Sequence, residues 1–524
     1  MAMNSNDQKF SPLSDENRIS ANGNPNQTRN RYINQIMDEM GFTKYHTFLF
    51  LSNSCFLFCA GMQEIIHVIL LSIINDTSKL TFYHLALMNS IEYLGFTVAT
   101  VLVNIITNYI SHRKSIIIAV LFSLVFTGLS LTSYNYYFAA FNRFFLGICL
   151  GILDVLIYLN LFESTPTKIR GFVSSIILLF FPLGAFVLSV ICYFQLTEGN
   201  HQLNYKMLLL TPFIGTCVIC LLVIVFMEES PRQLFGHNKF QEGVETMKKI
   251  TIFNKDDTYL NDKFRLNKGE QFKNDALKRS KTTQEPKVQI DNLIDNKQPP
   301  IESLNIENPP SSNDRLDKLS FIEKLQLIFS DKYRLYTMLF WIIASLAGFV
   351  FNGIFFMLPA TAPKIEKSTF LDLILFEGME IPSNFIASLL IENKNIGRLY
   401  ILRVGFVITF LISLINITLG STVLLFDCFL KFFLTIPLNV LIVYCSEIYD
   451  SDIRTMGLSA INFWRKIASL SAPFVMSYMT IHFGAYSTYL IYAPFLCLCS
   501  ICTLYFKTES RGIPLDEIKK LNYI

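Results

Sequence analysis

Ionisable side chains occur inside the long apolar runs of this sequence, where a charge is costly. A charged group at the centre of a bilayer costs about 2.5–3.5 kcal/mol on insertion scales, so it normally faces a partner or a water-filled cavity. Such groups bind solutes, exchange protons or join helices as ion pairs. They are Glu64, Glu92, Arg143, Asp154, Glu377, Glu380, Asp427, Lys431 and Arg465.

Two of these carboxylates suggest a proton-exchange hypothesis. Glu92 and Glu377 lie the same distance ahead of Arg113 and Arg398, and therefore at equivalent depth in two separate apolar runs. A carboxylate inside a membrane protein binds and releases protons in some sites and only pairs with a neighbouring helix in others. The sequence leaves both interpretations open.

A second set of charges lies at the ends of the apolar runs. Glu163 and Arg170 follow the fourth run, and Glu447 and Arg454 follow the tenth run with the same spacing. Charges in such places either form a network that opens and closes one side of a molecule, or are ordinary helix-end charges worth little each.

Signals for catalysis and metal binding do not stand out. The sequence shows no His or Cys cluster, no Gly-rich phosphate loop and no nucleophile motif. Its 11 cysteines lie in or beside apolar runs, which is typical of small side chains packed between helices. We therefore predict that the protein is no enzyme and has no cofactor or metal site. A net charge of +3 is too small to indicate nucleic acid as a partner.

The composition places most of the chain in a membrane. Of its 524 residues, 52% are hydrophobic and only 16% are charged, which is more apolar surface than a soluble domain of this length can bury. Since a helix of about 20 apolar residues spans a bilayer, the apolar runs predict twelve transmembrane helices, six on each side of a polar linker. The predicted spans are 47–74, 84–106, 115–132, 136–161, 172–194, 207–227, 335–358, 369–391, 399–419, 422–444, 456–481 and 486–506.

The distribution of Lys and Arg predicts the orientation, because short loops rich in these residues stay on the cytoplasmic side during insertion. Arg113, Arg170, Arg398 and Arg454 share one side with both termini and the linker, so we expect that side to be cytoplasmic. The predicted division is a cytoplasmic tail (1–46), a six-helix bundle (47–227), a cytoplasmic linker (228–333) with a disordered stretch at about 254–317, a second six-helix bundle (334–506) and a cytoplasmic tail (507–524).

An internal repeat relates the two halves. The pair Glu163 and Arg170 recurs as Glu447 and Arg454, and the landmarks in and after the second apolar run recur in and after the eighth, at a nearly constant offset. Parallel repeats of this kind are related by an axis along the membrane normal, and solute sites lie at the interface between them. The sequence thus predicts an all-α membrane protein of two pseudo-symmetric bundles.

Several stretches resemble the major facilitator superfamily, in particular the branch of synaptic vesicle glycoprotein 2, organic cation transporters and sugar porters. One is the approach to the first helix, and another is the R-F-x-x-G-x-x-x-G helix that ends in E-x-x-P-x-x-x-R-G. The stretches are Met37 to Ile65, Arg143 to Gly171, Glu229 to Arg232, Tyr444 to Gly457, Arg465 to Pro473 and Glu509 to Leu515.

The resemblance implies a transporter that moves a small organic solute by alternating access, proton-coupled or facilitative. In such a fold helices one, four, seven and ten line the cavity, which makes Glu64, Arg143, Asp154, Asp427 and Lys431 the cavity candidates. The charges implied to close the cytoplasmic side are Arg113, Glu163, Arg170, Arg398, Glu447 and Arg454. We expect a monomer whose partners are the solute and the bilayer, in the plasma membrane or an intracellular vesicle membrane.

One departure from the family pattern motivates an alternative. Between the second and third helices the family has D-R-x-G-R-R, whereas this chain has Ser111-His112-Arg113-Lys114 without an aspartate. These loop charges latch the two bundles together in the family. The alternative is a receptor or vesicle protein that keeps the scaffold and does not transport.

Overall fold

The computed structural model describes residues 41–78, 82–132, 135–166, 169–195, 205–229, 234, 242–243, 245–246, 321–360, 367–393, 396–419, 424–449 and 451–510. Within these ranges the chain is helical and contains no strand. The tail before residue 41 and the stretch predicted to be disordered at about 254–317 lie outside the described residues.

The described residues form six long helices in each half of the chain. Their boundaries agree with the predicted spans to within a few residues. In the first half they are α1 Lys44–Ser78, α2 Phe82–Tyr109, α3 His112–Ser130, α4 Tyr136–Ser164, α5 Arg170–Gln195 and α6 Tyr205–Phe226. In the second half they are α7 Arg334–Ala360, α8 Lys367–Glu392, α9 Arg398–Leu419, α10 Leu424–Ile448, α11 Ser451–Phe483 and α12 Tyr489–Leu504.

Most of these helices have the length and composition of membrane-spanning helices. Nine of the described helices are long and apolar enough to cross a bilayer, and the shorter apolar helices Leu210–Val223 and Tyr489–Leu504 fall in α6 and α12. The remaining helix, α11, has 33 residues but carries Arg465 and Lys466 near its middle. Its charged middle lies against the other bundle, as described below.

Helix α5 changes its winding where a proline follows. Residues Ile177–Leu179 form a 3₁₀ turn, and Pro182 lies three residues after its end. Proline has no N–H to donate to the carbonyl four residues earlier, so the turn before it is free to tighten. The helix then continues to Gln195.

Both halves are packed in the same way. In the first half α2 packs on α4, α1 packs on α5 and α6, and α3 packs on α4 and α6. Adding six to each number gives the pairs of the second half: α8 with α10, α7 with α11 and α12, and α9 with α10 and α12. The main contacts between the halves are α2 with α11 and α5 with α8. These two contacts are equivalent, because α8 and α11 are the repeat counterparts of α2 and α5. The predicted pseudo-symmetric pair of bundles is confirmed.

Glycines allow the closest helix approach within the first bundle. A Cβ added at Gly61 on α1 would collide with the carbonyl group of Phe181, and one added at Gly184 on α5 would collide with that of Phe58. The two backbones are therefore in direct contact. Such small-residue crossings are a common way to pack helices where lipid supplies no hydrophobic driving force.

The end of the linker forms a short helix, Phe321–Ile328. Lys324 donates a hydrogen bond to Asn108 at the end of α2 (2.6 Å), and the carbonyl of Ile328 accepts one from Thr337 of α7 (2.8 Å). The helix thus contacts both bundles at the ends of α2 and α7.

Candidate functional site

A buried triad lies in the second bundle. The Nζ atom of Lys431 on α10 is 2.7 Å from Oε1 of Glu377 and 2.8 Å from Oε2 of Glu380. The two glutamates are three residues apart on α8 and therefore share one face of that helix. The lysine side chain is only 3% exposed, and its ammonium lies 4.0 Å from the ring centroid of Phe376. Two carboxylates thus surround one ammonium ion.

Glu64 of the first bundle faces this triad. It lies on α1, is half-buried, and interacts electrostatically with Glu377, Lys431 and Glu380. The predicted cavity candidates Glu64 and Lys431 therefore lie near each other at the interface between the two bundles. Three carboxyl groups and one ammonium group lie there, an arrangement suited to a bound proton, a cation or a hydrogen-bonding solute.

Arg143 is placed differently from the other cavity candidates. Its side chain is fully buried, 3.6 Å from Glu92 on α2, and it donates a hydrogen bond to the carbonyl of Gln63 on α1 (3.2 Å). It therefore joins three helices inside the first bundle. The pair Glu92–Arg143 joins α2 to α4, as Glu377–Lys431 joins α8 to α10, so the repeat extends to the buried ion pairs.

Asp427 lies near the start of α10, far from the end that carries Glu447. The hydroxyl of Tyr489 on α12 donates a hydrogen bond to its carboxylate. This contact stays within the second bundle. The structure therefore does not bring Asp427 into the group formed by Glu64 and Lys431.

Asp154 forms an ion pair between the bundles. Its Oδ2 atom lies 3.6 Å from Nη2 of Arg465 on α11. Sequence reasoning missed the next residue, Lys466, whose ammonium lies 3.8 Å from the ring centroid of Phe96 and 5.3 Å from that of Tyr93 on α2. Its position inside the apolar run 456–481 is the signal that could have identified it.

The helix ends that carry the six predicted gate residues form one side of the molecule, which we call the charged face. There Nη1 of Arg454 on α11 lies 3.6 Å from Oε1 of Glu163 on α4. The guanidinium groups of Arg170 and Arg454, one from each bundle, lie 5.0 and 5.3 Å from the ring centroid of Phe162. Arg170 also donates to the carbonyl of Thr165. The two bundles are in contact at this face.

The other predicted gate residues pair within their own bundles. Arg113 lies 3.3 Å from Glu228, which follows α6, and Arg398 lies 2.7 Å from Glu447. Ser510 donates a hydrogen bond to the second oxygen of Glu447 (2.7 Å). Glu447 is therefore paired with Arg398 of its own bundle, whereas its repeat equivalent Glu163 is paired with Arg454 of the other bundle. The repeat does not extend to these ion pairs.

Two glutamates that sequence reasoning did not place in the gate accept backbone hydrogen bonds at helix starts. Glu509 accepts from the N–H groups of Arg398 and Leu399 at the start of α9 (2.9 and 3.1 Å). Glu392 at the end of α8 accepts from the N–H of Phe172 in α5 across the interface (2.9 Å). Glu509 stands in a stretch that carries the family resemblance, which is the signal for it.

Glu229 has the corresponding place in the first half. Burial raises the pKa of its carboxyl group. Hydrogen bonds from Ser111 and from the backbone of Arg113 and His112 lower that pKa by a smaller amount. It thereby occupies the start of α3, in the loop that lacks the family's aspartate.

Uncharged groups also join the bundles below the charged face. The Ser175 hydroxyl on α5 donates to Oδ1 of Asn439 on α10 (2.9 Å), and Ser388 on α8 donates to Ser175 (3.2 Å). The Asn439 amide in turn donates to Asn384 (2.9 Å). All four side chains are buried. On the opposite flank Tyr158 hydrogen-bonds Ser446 (3.3 Å).

This arrangement of two repeated bundles around an interfacial charge cluster has relatives among known proteins. The family model of the Major Facilitator Superfamily matches residues 54–468. The chain belongs to the major facilitator superfamily. The members to which it is compared are multi-pass membrane transporters, which confirms that it is no enzyme and that it lies in a membrane.

Similar superfamily members include sugar and metabolite transporters. Sugar transport protein 8 of Arabidopsis thaliana is 27% identical over 183 residues, and the match spans about a third of either chain (34% of each). The inner membrane metabolite transport protein YdjE of Escherichia coli is 22% identical, over 94% of this chain and 99% of that protein. The structure of the proton:xylose symporter XylE bound to 6-bromo-6-deoxy-D-glucose superposes with a TM-score of 0.65 at 16% identity, covering 91% of this chain and 99% of that one, which establishes the fold.

Proposed function

We propose that the chain carries a small organic solute across a membrane by alternating access, with the solute bound between the two bundles beside Glu64 and the Lys431 triad. One observation supports this most: Glu64 from the first bundle interacts with Glu377, Glu380 and Lys431 from the second. A polar cluster at the interface of two repeats near the middle of the membrane is where transporters of this architecture hold solute.

The contacts between the bundles at the charged face must form and break during the proposed transport cycle. Arg454–Glu163, Ser175–Asn439 and Phe172–Glu392 all cross between the bundles and lie on the same side of the cluster. With these contacts formed, that side is closed to solute. Opening it requires a tilt of one bundle against the other that breaks them together.

The motive for a receptor without transport was the missing aspartate between α2 and α3. Glu229 from the end of the first bundle interacts with Ser111 and the backbone of Arg113, so a carboxylate still occupies the start of α3. This favours a transporter whose α2–α3 loop takes its carboxylate from Glu229 over a receptor that does not transport.

We place both termini, the linker and the charged face on the cytoplasmic side, because Arg113, Arg170, Arg398 and Arg454 all lie at this face. The chain acts as a monomer in this proposal, since one copy contains both halves of the site. The division into tails, linker and bundles follows the predicted boundaries.

Uptake into proteoliposomes tests the proposal. Purified full-length protein is offered a radiolabelled neutral monosaccharide, a quaternary ammonium ion and an aromatic carboxylate in turn. We expect saturable uptake of one class, reduced at least about tenfold by Lys431→Gln. The control is Asp331→Asn, whose side chain is 99% exposed. If no class is taken up by correctly folded protein, or if Lys431→Gln transports at the control rate, the proposal is wrong.

The same vesicles distinguish a proton-coupled cycle from a facilitative one. An inward proton gradient drives accumulation above the external concentration only if a proton moves with the solute. The carboxylates that we propose to carry it are Glu92 and Glu377. Under the coupled cycle Glu377→Gln abolishes accumulation and retains exchange of solute for solute, whereas a facilitative carrier shows no accumulation in either form.

A further inference from the structure

The Asp154–Arg465 ion pair lies deep between the bundles. Counted along α4, Asp154 is about 13 Å from Glu163, and counted along α11, Arg465 is about 16 Å from Arg454, at about 1.5 Å per residue. Since the hydrocarbon is about 30 Å thick, the pair lies near its middle. The same two helices thus carry two ion pairs, one at the charged face and one at mid-membrane.

The two pairs differ in their access to water. The side chains of Glu163 and Arg454 are 7% and 3% exposed, whereas those of Asp154 and Arg465 are 31% and 25% exposed. The deep pair is therefore partly accessible to solvent, and the pair at the charged face is enclosed by protein. A solute that enters between the bundles meets the deep pair first.

The backbone of α7 sets the position of Arg465. A Cβ at Gly348 would lie 2.7 Å from the Cγ of Arg465, so the arginine stem rests directly on the bare surface of α7. Its guanidinium then reaches α4. The carboxylate distance of 3.6 Å is that of an ion pair longer than a good hydrogen bond, so the pair can be strengthened or weakened by small changes.

A contact farther along α11 identifies where the bundles remain joined. Ser90 of α2 donates a hydrogen bond to the carbonyl of Leu470 (2.9 Å), farther from the charged face than Arg465. A tilt about this region that separates the charged-face ends of α4 and α11 also separates Asp154 from Arg465.

We propose that Asp154 and Arg465 form a second, internal gate: an ion pair that is the floor of the solute cavity and holds the molecule closed toward the charged face. This rests on the proposed alternating-access function and adds residues that act in it. Gly348 is a positioning residue for Arg465.

The test measures the distance between the bundles at the charged face, and it needs no solute. Spin labels are attached to a keto-bearing unnatural amino acid placed at Tyr109 at the end of α2 and at Tyr400 near the start of α9, which are 82% and 60% exposed. This chemistry leaves the 11 native cysteines unlabelled. Double electron–electron resonance on full-length protein in nanodiscs then gives the populations of short (closed) and long (open) distances.

Opposite shifts are expected from two substitutions of the same residue. Asp154→Asn removes the ion pair and raises the ratio of open to closed about three- to tenfold. Asp154→Glu reaches farther, shortens the pair and lowers that ratio. The exchanged pair Asp154→Arg with Arg465→Asp restores the wild-type distribution, and Gly348→Ala shifts it in the direction of Asp154→Asn.

Asp372→Asn on α8 is the matched control and leaves the distribution unchanged. If Asp154→Asn and Asp154→Glu both give the wild-type distribution while Glu163→Gln opens the molecule, the internal gate is refuted and alternating access stands. If no variant, including Glu163→Gln, gives a second distance, the proposed function itself fails.

Discussion

Glu229 and Glu509 occupy equivalent places in the two halves of the chain. Each follows the sixth helix of its bundle and interacts with the backbone at the start of that bundle's third helix, α3 or α9. A carboxylate there lies at the positive end of the helix dipole, and Glu509 also accepts from N–H groups that have no partner within the helix. The repeat thus includes the placement of a carboxylate beside this helix start as well as the packing of the helices.

The Glu509 cap predicts a moderate loss of stability. Glu509→Ala leaves the N–H groups of Arg398 and Leu399 without their acceptor, and we expect the unfolding free energy to fall by about 0.5–2 kcal/mol. Denaturant unfolding of the purified protein in detergent measures it. Asp331→Ala is the control, and a loss no greater than the control's would contradict the capping role.

The Lys431 triad predicts an unequal effect of removing its members. Lys431→Met leaves Glu377 and Glu380 buried without a cation, and we expect a loss of about 3–5 kcal/mol. Glu380→Gln keeps the Lys431–Glu377 pair at 2.7 Å and should cost less. Thermal unfolding of both variants gives the order, and equal losses would show that the ammonium does not compensate both carboxylates.

The α1–α5 crossing predicts a strong effect from a single methyl group. At Gly184 an added Cβ meets the carbonyl of Phe58, so Gly184→Ala must push α5 away from α1 and lower the yield of folded protein. Gly378→Ala is the control, because its Cβ would lie 3.4 Å from a ring atom of Phe186, an ordinary contact. Size-exclusion chromatography and melting temperature compare the two, and the same behaviour in both would refute the close crossing.

The number and order of helices could be predicted because the bilayer demands long apolar runs whatever their neighbours are. The repeat predicted that Glu163 and Arg454 belong to one charge network, but it did not predict that they pair with each other. The partner of Glu447 did not follow, since it depends on where the segment after α12 lies: Ser510 and Arg398 reach Glu447 in the folded chain.

The cavity shows the same limit. Asp427 and Lys431 are four residues apart on α10 and were expected to serve one cavity. The tilt of the neighbouring helices decides which partner each meets, and Asp427 contacts Tyr489 of α12 while Lys431 contacts Glu377 of α8. Helical periodicity gives the face of a helix and does not give the neighbour at each depth.

The most direct test of alternating access is uptake by the exchanged pair at the charged face, with the solute that wild-type proteoliposomes take up. Glu163→Arg and Arg454→Glu each place like charges about 3.6 Å apart between the bundles, and we expect each to lower uptake at least about tenfold. The double variant restores opposite charges and should regain at least about half of the wild-type rate. Single variants that transport at the wild-type rate, or a well-folded double variant no better than either single one, would contradict the account.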